Sequence, residues 1–260
     1  MRRFYFYRRN PFYIVRGRTL ILAMLGIAAV VATAAMIRPY YQSVSKPVRE
    51  LPVYSVDRIE PWVSLTFDAA WGNEDTQQLI DILARYDAKA TFFVVGDWVR
   101  RFPESVKALH DAGHEVMSHS DKHKHMNALS AAEIKADLEA CNRAIAAVTG
   151  VTPHLFRPPY GEYDNELILT ARGMGIETIQ WDVDSHDWMK RSADEIRSRV
   201  VTRVKNGSII LFHNAALNTP AALPGILEDL SGKGFSFVTV SQILLDGPTK
   251  INHEGRQTRA

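Results

Sequence analysis

The sequence predicts an α/β fold: a distorted (β/α) barrel of about seven parallel strands, preceded by an N-terminal transmembrane helix. Three observations support this prediction. Apolar and β-branched runs alternate with helix-period segments from residue 61 onward. The runs are almost continuously apolar, which is typical of strands buried on both faces of a parallel sheet. A single uninterrupted apolar stretch near the N-terminus predicts the transmembrane helix. The number of β/α units, about seven, favours a closed barrel over an open sheet.

The predicted strands and helices follow one another in strict alternation. The helix over 130–149 has the clearest start, because Ser130 and Glu133 have the spacing of a capping box. The predicted strands are WVSLTFD, KATFFVV, HEVMSH, HLFR, ETIQWDV, SIILFH and FSFVTV. The predicted helices lie near 74–86, 103–112, 130–149, 165–173, 193–205 and 221–231.

Residues 19–37 form an uncharged stretch of 19 residues that predicts a transmembrane anchor. As a helix it would be about 28 Å long, close to the thickness of a bilayer core. Six arginines and no acidic residue occur in residues 1–18, so the positive-inside rule makes this a basic cytoplasmic segment. We therefore expect a single-pass protein of the cell membrane whose main domain is extracytoplasmic. The alternative is secretion after cleavage near the Ala32-Thr33-Ala34 sequence.

The remaining chain divides into a linker over 38–60, a main domain over 61–245 and a loose polar tail over 246–260. Residues 61–260 contain 21 Lys and Arg against 26 Asp and Glu, a net charge of −5. A mildly acidic domain argues against a nucleic-acid partner, and we expect no nucleotide cofactor. Cys141 is the only cysteine, which excludes an intrachain disulfide and suggests a core position.

Titratable and cationic side chains stand at the ends of the predicted strands. In parallel β/α folds these ends meet at one rim, where active sites are built. A single Asp or His at a strand end is usually a helix cap or a structural polar residue. Five strand ends with such groups predict a functional site, formed by Asp68, His119, Arg157, Asp184 with Asp187, and His213.

The segment HSDKHKHM predicts a metal site through His119 and His123, which are four residues apart. His125 and His114 are possible substitutes. Imidazoles together with a carboxylate suit Zn²⁺ or another divalent first-row metal. Such a metal lowers the pKa of a bound water towards about 7, which allows attack on an acyl carbon.

The same rim supplies groups for acid and base catalysis. Asp68 can act as the base, held ionised and oriented by Arg157, and His213 can act as the acid, kept protonated by Asp187. Divergent pKa values in two such groups are the usual sign of an acid/base pair. The backbone N–H of Tyr160, which follows two prolines, can help to hold the oxyanion.

Five short motifs occur in a recognisable order along the chain. They are Thr66-Phe67-Asp68, His119-Ser120-Asp121-Lys122-His123, Arg157-Pro158-Pro159-Tyr160, Asp184-Ser185-His186-Asp187-Trp188 and Leu211-Phe212-His213. With these motifs, the sequence over about residues 60–245 resembles the polysaccharide deacetylase family, the NodB-homology domain of carbohydrate esterase family 4. The TFDxxWG form resembles a branch found among cell-wall and sporulation-associated deacetylases.

The resemblance implies metal-dependent hydrolysis of N-acetyl groups from an amino-sugar polysaccharide, most specifically peptidoglycan, with release of acetate. It implies one divalent metal, zinc or else cobalt or another first-row ion. It also implies that the side chains of His119 and His123 bind the metal and that the catalytic residues have the roles described above. The expected substrate contacts come from Leu211 and Trp188 at the acetyl methyl, and from Tyr160, Pro158 and Trp71.

One departure from the family pattern concerns the metal. The family usually has a second aspartate after the base as a metal ligand, and here that residue is Ala69. Asp75 or Glu74 can replace it, water can complete the coordination, or the site binds metal weakly. Two alternative functions follow: a non-catalytic glycan-binding protein with a degraded metal site, or a deacetylase of chitooligosaccharides. The expected partners are a cell-wall glycan and, through the N-terminal helix, a membrane.

Overall fold

The computed structural model describes residues 17–44 and 49–260 of the chain. These residues belong to two compact units that divide between Val48 and Arg49. Most of the predicted basic segment 1–18 lies outside the described residues, as do residues 45–48 of the predicted linker.

The first unit contains one long helix, α1 (Gly17–Val44). Its window Leu20–Ile37 has a mean hydropathy of 2.6, so the helix is long enough and apolar enough to cross a membrane. A signal sequence near an N-terminus passes the same test of length and composition. The helix therefore fits either the predicted anchor or the signal-segment alternative.

The second unit alternates strands with helices, as predicted. Helix α5 begins directly after Ser130, which forms the predicted capping box with Glu133. The strands are β1 (Ser55–Val56), β2 (Trp62–Ala69), β3 (Ala90–Val94), β4 (Glu115–Ser118), β5 (Leu155–Phe156), β6 (Glu177–Thr178), β7 (Val183–Asp184), β8 (Ile209–His213), β9 (Ser236–Phe237), β10 (Thr249–Ile251) and β11 (Arg256–Arg259). The helices are α2 (Thr76–Arg85), α3 (Gly96–Arg101), α4 (Pro103–Asp111), α5 (Ala131–Thr149), α6 (Asn165–Gly173), α7 (Ala193–Val201), α8 (Thr219–Gly232) and α9 (Val240–Ile243).

The main sheet confirms the predicted distorted barrel. Seven strands lie in the order β6-β5-β4-β3-β2-β8-β7, and β9 pairs with the start of β2. All of these pairings are parallel. Strand β2 is central, and its register places Asp68 opposite Phe93 on β3 and His213 on β8. The pairing thus brings two of the predicted site residues side by side.

The predicted strand ETIQWDV is in fact two strands, β6 and β7, which lie at opposite edges of the sheet. The sequence is apolar enough for one continuous strand, so local pattern alone could not show the break. Between these edges lies the N-terminal segment of the unit. The N–H of Val53 donates to the Thr178 carbonyl at 2.9 Å, and the N–H of Gln180 donates to the Val53 carbonyl at 2.7 Å. The barrel is distorted because this segment stands where a regular strand would close it.

The ends of the unit also differ from the predicted linker and tail. Val53 and Val56 are fully buried, and β1 pairs with β11. Strands β10 and β11, within the stretch expected to be a loose tail, form an antiparallel hairpin. The sequence there is polar, and the pairing arises from backbone hydrogen bonds and from the buried side chain of Gln257, which accepts the Leu245 N–H at 2.8 Å.

Removal of residues 49–60 is expected to destabilise the second unit strongly. A fragment of residues 61–260 loses two fully buried valines, each worth about 1.5–3 kcal/mol, together with the pairing of β1 to β11. We expect its free energy of unfolding to be lower than that of a 49–260 fragment by about 3–6 kcal/mol. Urea unfolding of both fragments, followed by circular dichroism, measures the difference. Equal urea midpoints would contradict this assignment of the N-terminal segment.

The two faces of β2 have different roles. Val63, Leu65 and Phe67 belong to the large apolar cluster that includes the surrounding helices, and the Phe67 ring stacks between Phe92 and Phe212 at 4.8 and 5.4 Å. Successive side chains of a strand point to opposite faces. Asp68 therefore points to the opposite side of the sheet, where it lies on a rigid strand with closely packed neighbours.

Candidate active site

The predicted rim residues converge on one cavity of about 760 Å³. Strand β2 brings Asp68 to its wall, the segment after β4 brings two histidines, and β8 brings His213. Arg157, directly after β5, is fully buried beside the cavity and does not line it. The wall includes Asp68, His119, His123, Asp187 and His213.

Asp68 forms a buried ion pair with Arg157, with Nη1 and Oδ1 separated by 2.7 Å. The guanidinium also donates from Nη2 to the Gln180 carbonyl at 3.1 Å and lies over the Phe93 ring at 4.2 Å. Burial opposes ionisation of Asp68, but the charge and hydrogen bond of Arg157 hold its pKa below the ordinary value. Asp68 is therefore an ionised carboxylate in a fixed orientation, as a general base requires.

His213 is paired with Asp187 across 2.8 Å between Nδ1 and Oδ1. The other carboxylate oxygen accepts the backbone N–H of His213 at 2.8 Å and the Thr219 hydroxyl at 2.7 Å. Burial would lower the pKa of His213, but the hydrogen bond and negative charge of Asp187 raise it above the ordinary value. Nδ1 is occupied by Asp187, so Nε2 is the nitrogen that can donate a proton.

His119 and His123 lie next to each other, with ring centroids 5.0 Å apart. The Nδ1 of His119 donates to the Arg157 carbonyl at 2.8 Å, so its Nε2 carries no proton and lies 3.6 Å from Asp68 Oδ2. Burial lowers the pKa of His119, and it lowers the pKa of His123 to about 4. Both rings are therefore neutral near pH 7, the state in which imidazole binds metals.

Two neutral imidazoles fit a divalent metal in their donor chemistry, but they form only part of a ligand set. Within residues 17–44 and 49–260, no group of three or more His, Cys, Asp or Glu side chains is arranged to hold an ion. Ala69, at the position where the family has a carboxylate, is buried in the large apolar cluster. The two histidines expected at the metal site thus lie together, and the carboxylate expected beside them is absent.

The structure does not bring Asp75 or Glu74 to the histidines. The Asp75 carboxylate accepts the Ala215 N–H at 2.8 Å, and neither acid lines the cavity. Burial raises the pKa of Asp75, which disfavours the ionised form that a metal ligand needs. The Glu74 carboxylate lies against Gly72. The expectation that Asp75 replaces the missing ligand therefore disagrees with its position, because the loop folds against the 214–217 segment.

Aromatic side chains surround the mouth of the cavity. The rings of Trp71 and Tyr160 each lie edge-to-face against the imidazole of His123. Their ring centroids are 5.0 and 4.6 Å from the His123 centroid. Tyr160 has a φ of 61°, a strained left-handed conformation for a residue with a Cβ. Trp188 also lines the cavity with more than half of its surface exposed, and Leu211 lines its floor.

Pro158 does not contact the cavity, although a substrate contact was expected. It is buried, and it supports the turn that contains Tyr160. Several residues that the sequence did not single out line the cavity instead. Trp181 reaches it because the predicted strand breaks there, and Lys190 follows the Asp187 motif. The segment 214–217 directly follows His213, so the rule that loops after strands build the site could have indicated it.

Comparison with known proteins identifies relatives of this chain. The family model described as polysaccharide deacetylase matches residues 55–179. The peptidoglycan-N-acetylglucosamine deacetylase of Bacillus cereus (strain ATCC 14579) is 34% identical over 74% of this chain and 92% of its own length. The peptidoglycan-N-acetylglucosamine deacetylase PgdA of Listeria monocytogenes is 32% identical over 81% of this chain and 44% of its own length.

A solved structure of a CE4 family pseudoenzyme from Bacillus anthracis is also similar, with a TM-score of 0.71. It is 34% identical, and the match covers 74% of this chain and 68% of that protein. A mutant of the same pseudoenzyme is described as having restored enzymatic activity. The chain covers 60% of the uncharacterized protein YlxY of Bacillus subtilis, to which it is 32% identical, and 44% of PgdA, so it spans about half the length of these two relatives.

Proposed function

Because the chain belongs to the polysaccharide deacetylase family, we propose that it removes N-acetyl groups from an amino-sugar polysaccharide, most specifically peptidoglycan, and releases acetate. The observation that carries this proposal is the acid/base pair on one cavity. Arg157 lowers the pKa of Asp68, and Asp187 raises the pKa of His213. A protein that only bound glycan would have no need for two groups with opposite pKa shifts.

In this proposal, His119 and His123 hold a divalent metal, zinc or another first-row ion. When bound, the metal supplies a Lewis acid that polarises the acetyl carbonyl and lowers the pKa of a nearby water. Asp68 accepts a proton from the attacking water while the water oxygen forms a bond to the carbonyl carbon. The carbon–nitrogen bond then breaks, and His213 Nε2 gives its proton to the departing amine. Leu211 and Trp188 hold the acetyl methyl, and the Tyr160 N–H helps to hold the oxyanion.

Substitution of Asp187 by asparagine is expected to shift the pH dependence of the reaction. Activity needs ionised Asp68 and protonated His213, so kcat/KM rises as pH passes above the lowered pKa of Asp68 and falls as pH rises through the raised pKa of His213. Asp187→Asn removes the charge that raises the pKa of His213. The alkaline limb should therefore move to lower pH by about 1 unit or more.

The pH profile of acetate release, measured from pH 4 to about 10, tests this shift. Thr219→Val is the matched control, because it removes a hydrogen bond to Asp187 and leaves the carboxylate in place. We expect its alkaline limb to move less than that of Asp187→Asn. An unmoved alkaline limb in Asp187→Asn would contradict the role of His213 as the acid.

A second candidate function is a non-catalytic glycan-binding protein with a degraded metal site. Ala69 favours it, and so does the similarity to a pseudoenzyme. The deciding experiment measures acetate released by the full chain from peptidoglycan and from chitooligosaccharides, with and without added Zn²⁺ or Co²⁺. Ala69→Asp is included because it restores the carboxylate that the family has at this position, and Ala70→Asp is its control.

Metal-stimulated acetate release by the unmodified chain would support the deacetylase, and the ratio between the two substrates would name the polymer. If only Ala69→Asp releases acetate, the natural chain is the glycan-binding protein. No acetate from either chain, with metal binding intact, would refute hydrolysis altogether.

We also propose that the second unit acts outside the cell membrane, with α1 as its anchor. A peptidoglycan substrate lies on that side, and the N-terminal arginines favour the cytoplasm. Protease added to intact cells should degrade the second unit if this orientation is correct. Protection from protease would place it inside, and release into the medium would favour the cleaved form.

A further inference from the structure

A shallow surface groove of about 400 Å³ lies along α7, beside the active-site cavity. Its lining consists of three arginines, two acidic residues and two hydroxyl residues: Arg191, Arg199 and Arg203, Asp194 and Glu195, and Ser198 and Thr202. The arginines outnumber the carboxylates by one. We propose that this groove binds the carboxylate or phosphate groups of an acidic wall polymer while a sugar of the same polymer occupies the active site. The substrate class in this inference rests on the proposed function, whereas the anion site itself does not.

The positive charge of the groove is only partly neutralised. Arg191 lies 3.6 Å from Glu195, whose carboxylate is also bonded to the helix cap at Ser192. In the part of the chain that the structure describes, neither Arg199 nor Arg203 forms an ion pair with a carboxylate. Burial and the neighbouring charges of Arg203 and Arg191 lower the pKa of Arg199, although the charge of Asp184 opposes this shift. An oxyanion would relieve this repulsion, and guanidinium groups bind carboxylates and phosphates in a bidentate manner.

Helix capping explains part of this cluster but not all of it. A cation near the C-terminus of a helix is favourable, and Arg199 lies in the last turn of α7. Arg191, however, precedes the N-terminus of α7, where the helix dipole disfavours a cation. Its Nε is buried and has no hydrogen-bond partner among the described residues. Helix capping therefore does not explain why Arg191 lies beside the other two arginines, and binding of an anionic ligand does.

The groove is joined to the active-site cavity through Arg199. Its Nε donates to the Asp184 carbonyl at 2.6 Å, and its Nη2 donates to His186 Nε2 at 2.8 Å. Asp184 lines the active-site cavity, so one short segment separates the two sites. An anion on the groove would thus belong to a unit of the polymer next to the sugar being processed. Cell-wall glycan carries carboxylates on its peptides and phosphates on attached polymers, while chitooligosaccharides are neutral.

The test measures retention of the full chain, held in a non-ionic detergent, on insoluble wall glycan at increasing NaCl. One sample of glycan is untreated, one has its carboxylates converted to amides, one has its phosphate polymers removed, and one has received both treatments. Arg203→Glu reverses one positive charge of the groove. Arg203→Lys keeps the positive charge but removes the planar guanidinium that can bind an oxyanion in a bidentate manner. Arg143→Glu is the matched control, because it makes the same charge change at an exposed site on α5.

We expect Arg203→Glu to weaken retention about tenfold at low salt and Arg143→Glu to leave it nearly unchanged. Arg203→Lys should retain part of the affinity. The treatment that abolishes the difference between wild type and Arg203→Glu identifies carboxylate or phosphate as the ligand. Equal losses in Arg203→Glu and Arg143→Glu, or full wild-type retention on the doubly treated glycan, would overturn the inference.

Retention needs no acetate release, so the two proposals can fail separately. A chain that releases no acetate but binds through Arg203 would refute the proposed function and keep the anion site. The reverse result would refute the anion site alone. Melting temperatures of all variants establish that each is folded, and Arg203→Gln replaces Arg203→Glu if charge reversal prevents folding.

Discussion

Replacement of Asp68 by asparagine is expected to lower the rate of acetate release by about 10²–10⁴-fold, the contribution of a positioned general base. Asparagine has nearly the same size and cannot accept the proton of the attacking water. The side chain sits on the central strand of the barrel, where the register with β8 holds it opposite His213. The loss should therefore appear in kcat, with glycan binding largely preserved.

Acetate release at saturating peptidoglycan, together with glycan retention, measures these two effects separately. The matched control is Asp184→Asn, which removes a carboxylate that lines the same cavity without contacting Arg157. We expect Asp184→Asn to change the rate by less than about tenfold. Similar losses in both variants would mean that cavity charge as a whole, rather than a base at position 68, governs the reaction.

Replacement of Arg157 by methionine is expected to lower the free energy of unfolding at neutral pH by about 3–5 kcal/mol, because it leaves a buried carboxylate without its partner. Arg157 is fully buried and Asp68 is 7% exposed, so water cannot compensate. Catalysis should fall as well, since the cation that keeps Asp68 ionised is absent. Urea unfolding at several pH values measures the stability change.

The pH dependence of this loss has a definite sign. In the natural chain the pKa of Asp68 is lowered, so the pair contributes stability above the unfolded pKa near 3.9, and this contribution is lost as pH falls through the folded pKa. In Arg157→Met, burial without a cation raises the pKa of Asp68. The deficit should then grow as pH rises above about 4 and should shrink in acid.

The double variant Asp68→Asn with Arg157→Met is the control for this interpretation. It removes both charges, so it should be more stable at neutral pH than Arg157→Met alone. If the double variant is no more stable, the loss comes from packing of the guanidinium against Phe93 and Trp181 rather than from the unpaired carboxylate.

Much of the fold and of the cavity could be predicted from the sequence, because both follow local patterns. Apolar runs and capping boxes are properties of neighbouring residues, and they gave the parallel sheet and the start of α5 at Ser130. The rule that strand ends meet at one rim then brought Asp68, His119 and His213 together before any contact was known. The order of five motifs led to the polysaccharide deacetylase family, which the comparisons confirm.

Only the tertiary structure shows the places where contacts between distant segments of the chain replace the structure that the local sequence pattern predicts. Directly after β6, the chain pairs with the N-terminal segment at Val53 instead of continuing as one strand into β7, and the hairpin at 249–259 pairs through β11 with β1. Likewise Asp75 is drawn to the Ala215 N–H instead of the histidines. These outcomes depend on which distant groups satisfy each buried donor and acceptor, and a one-dimensional pattern holds no information on that choice. The sequence by itself determined which chemical groups are present, and the packing of distant segments determined which of them meet.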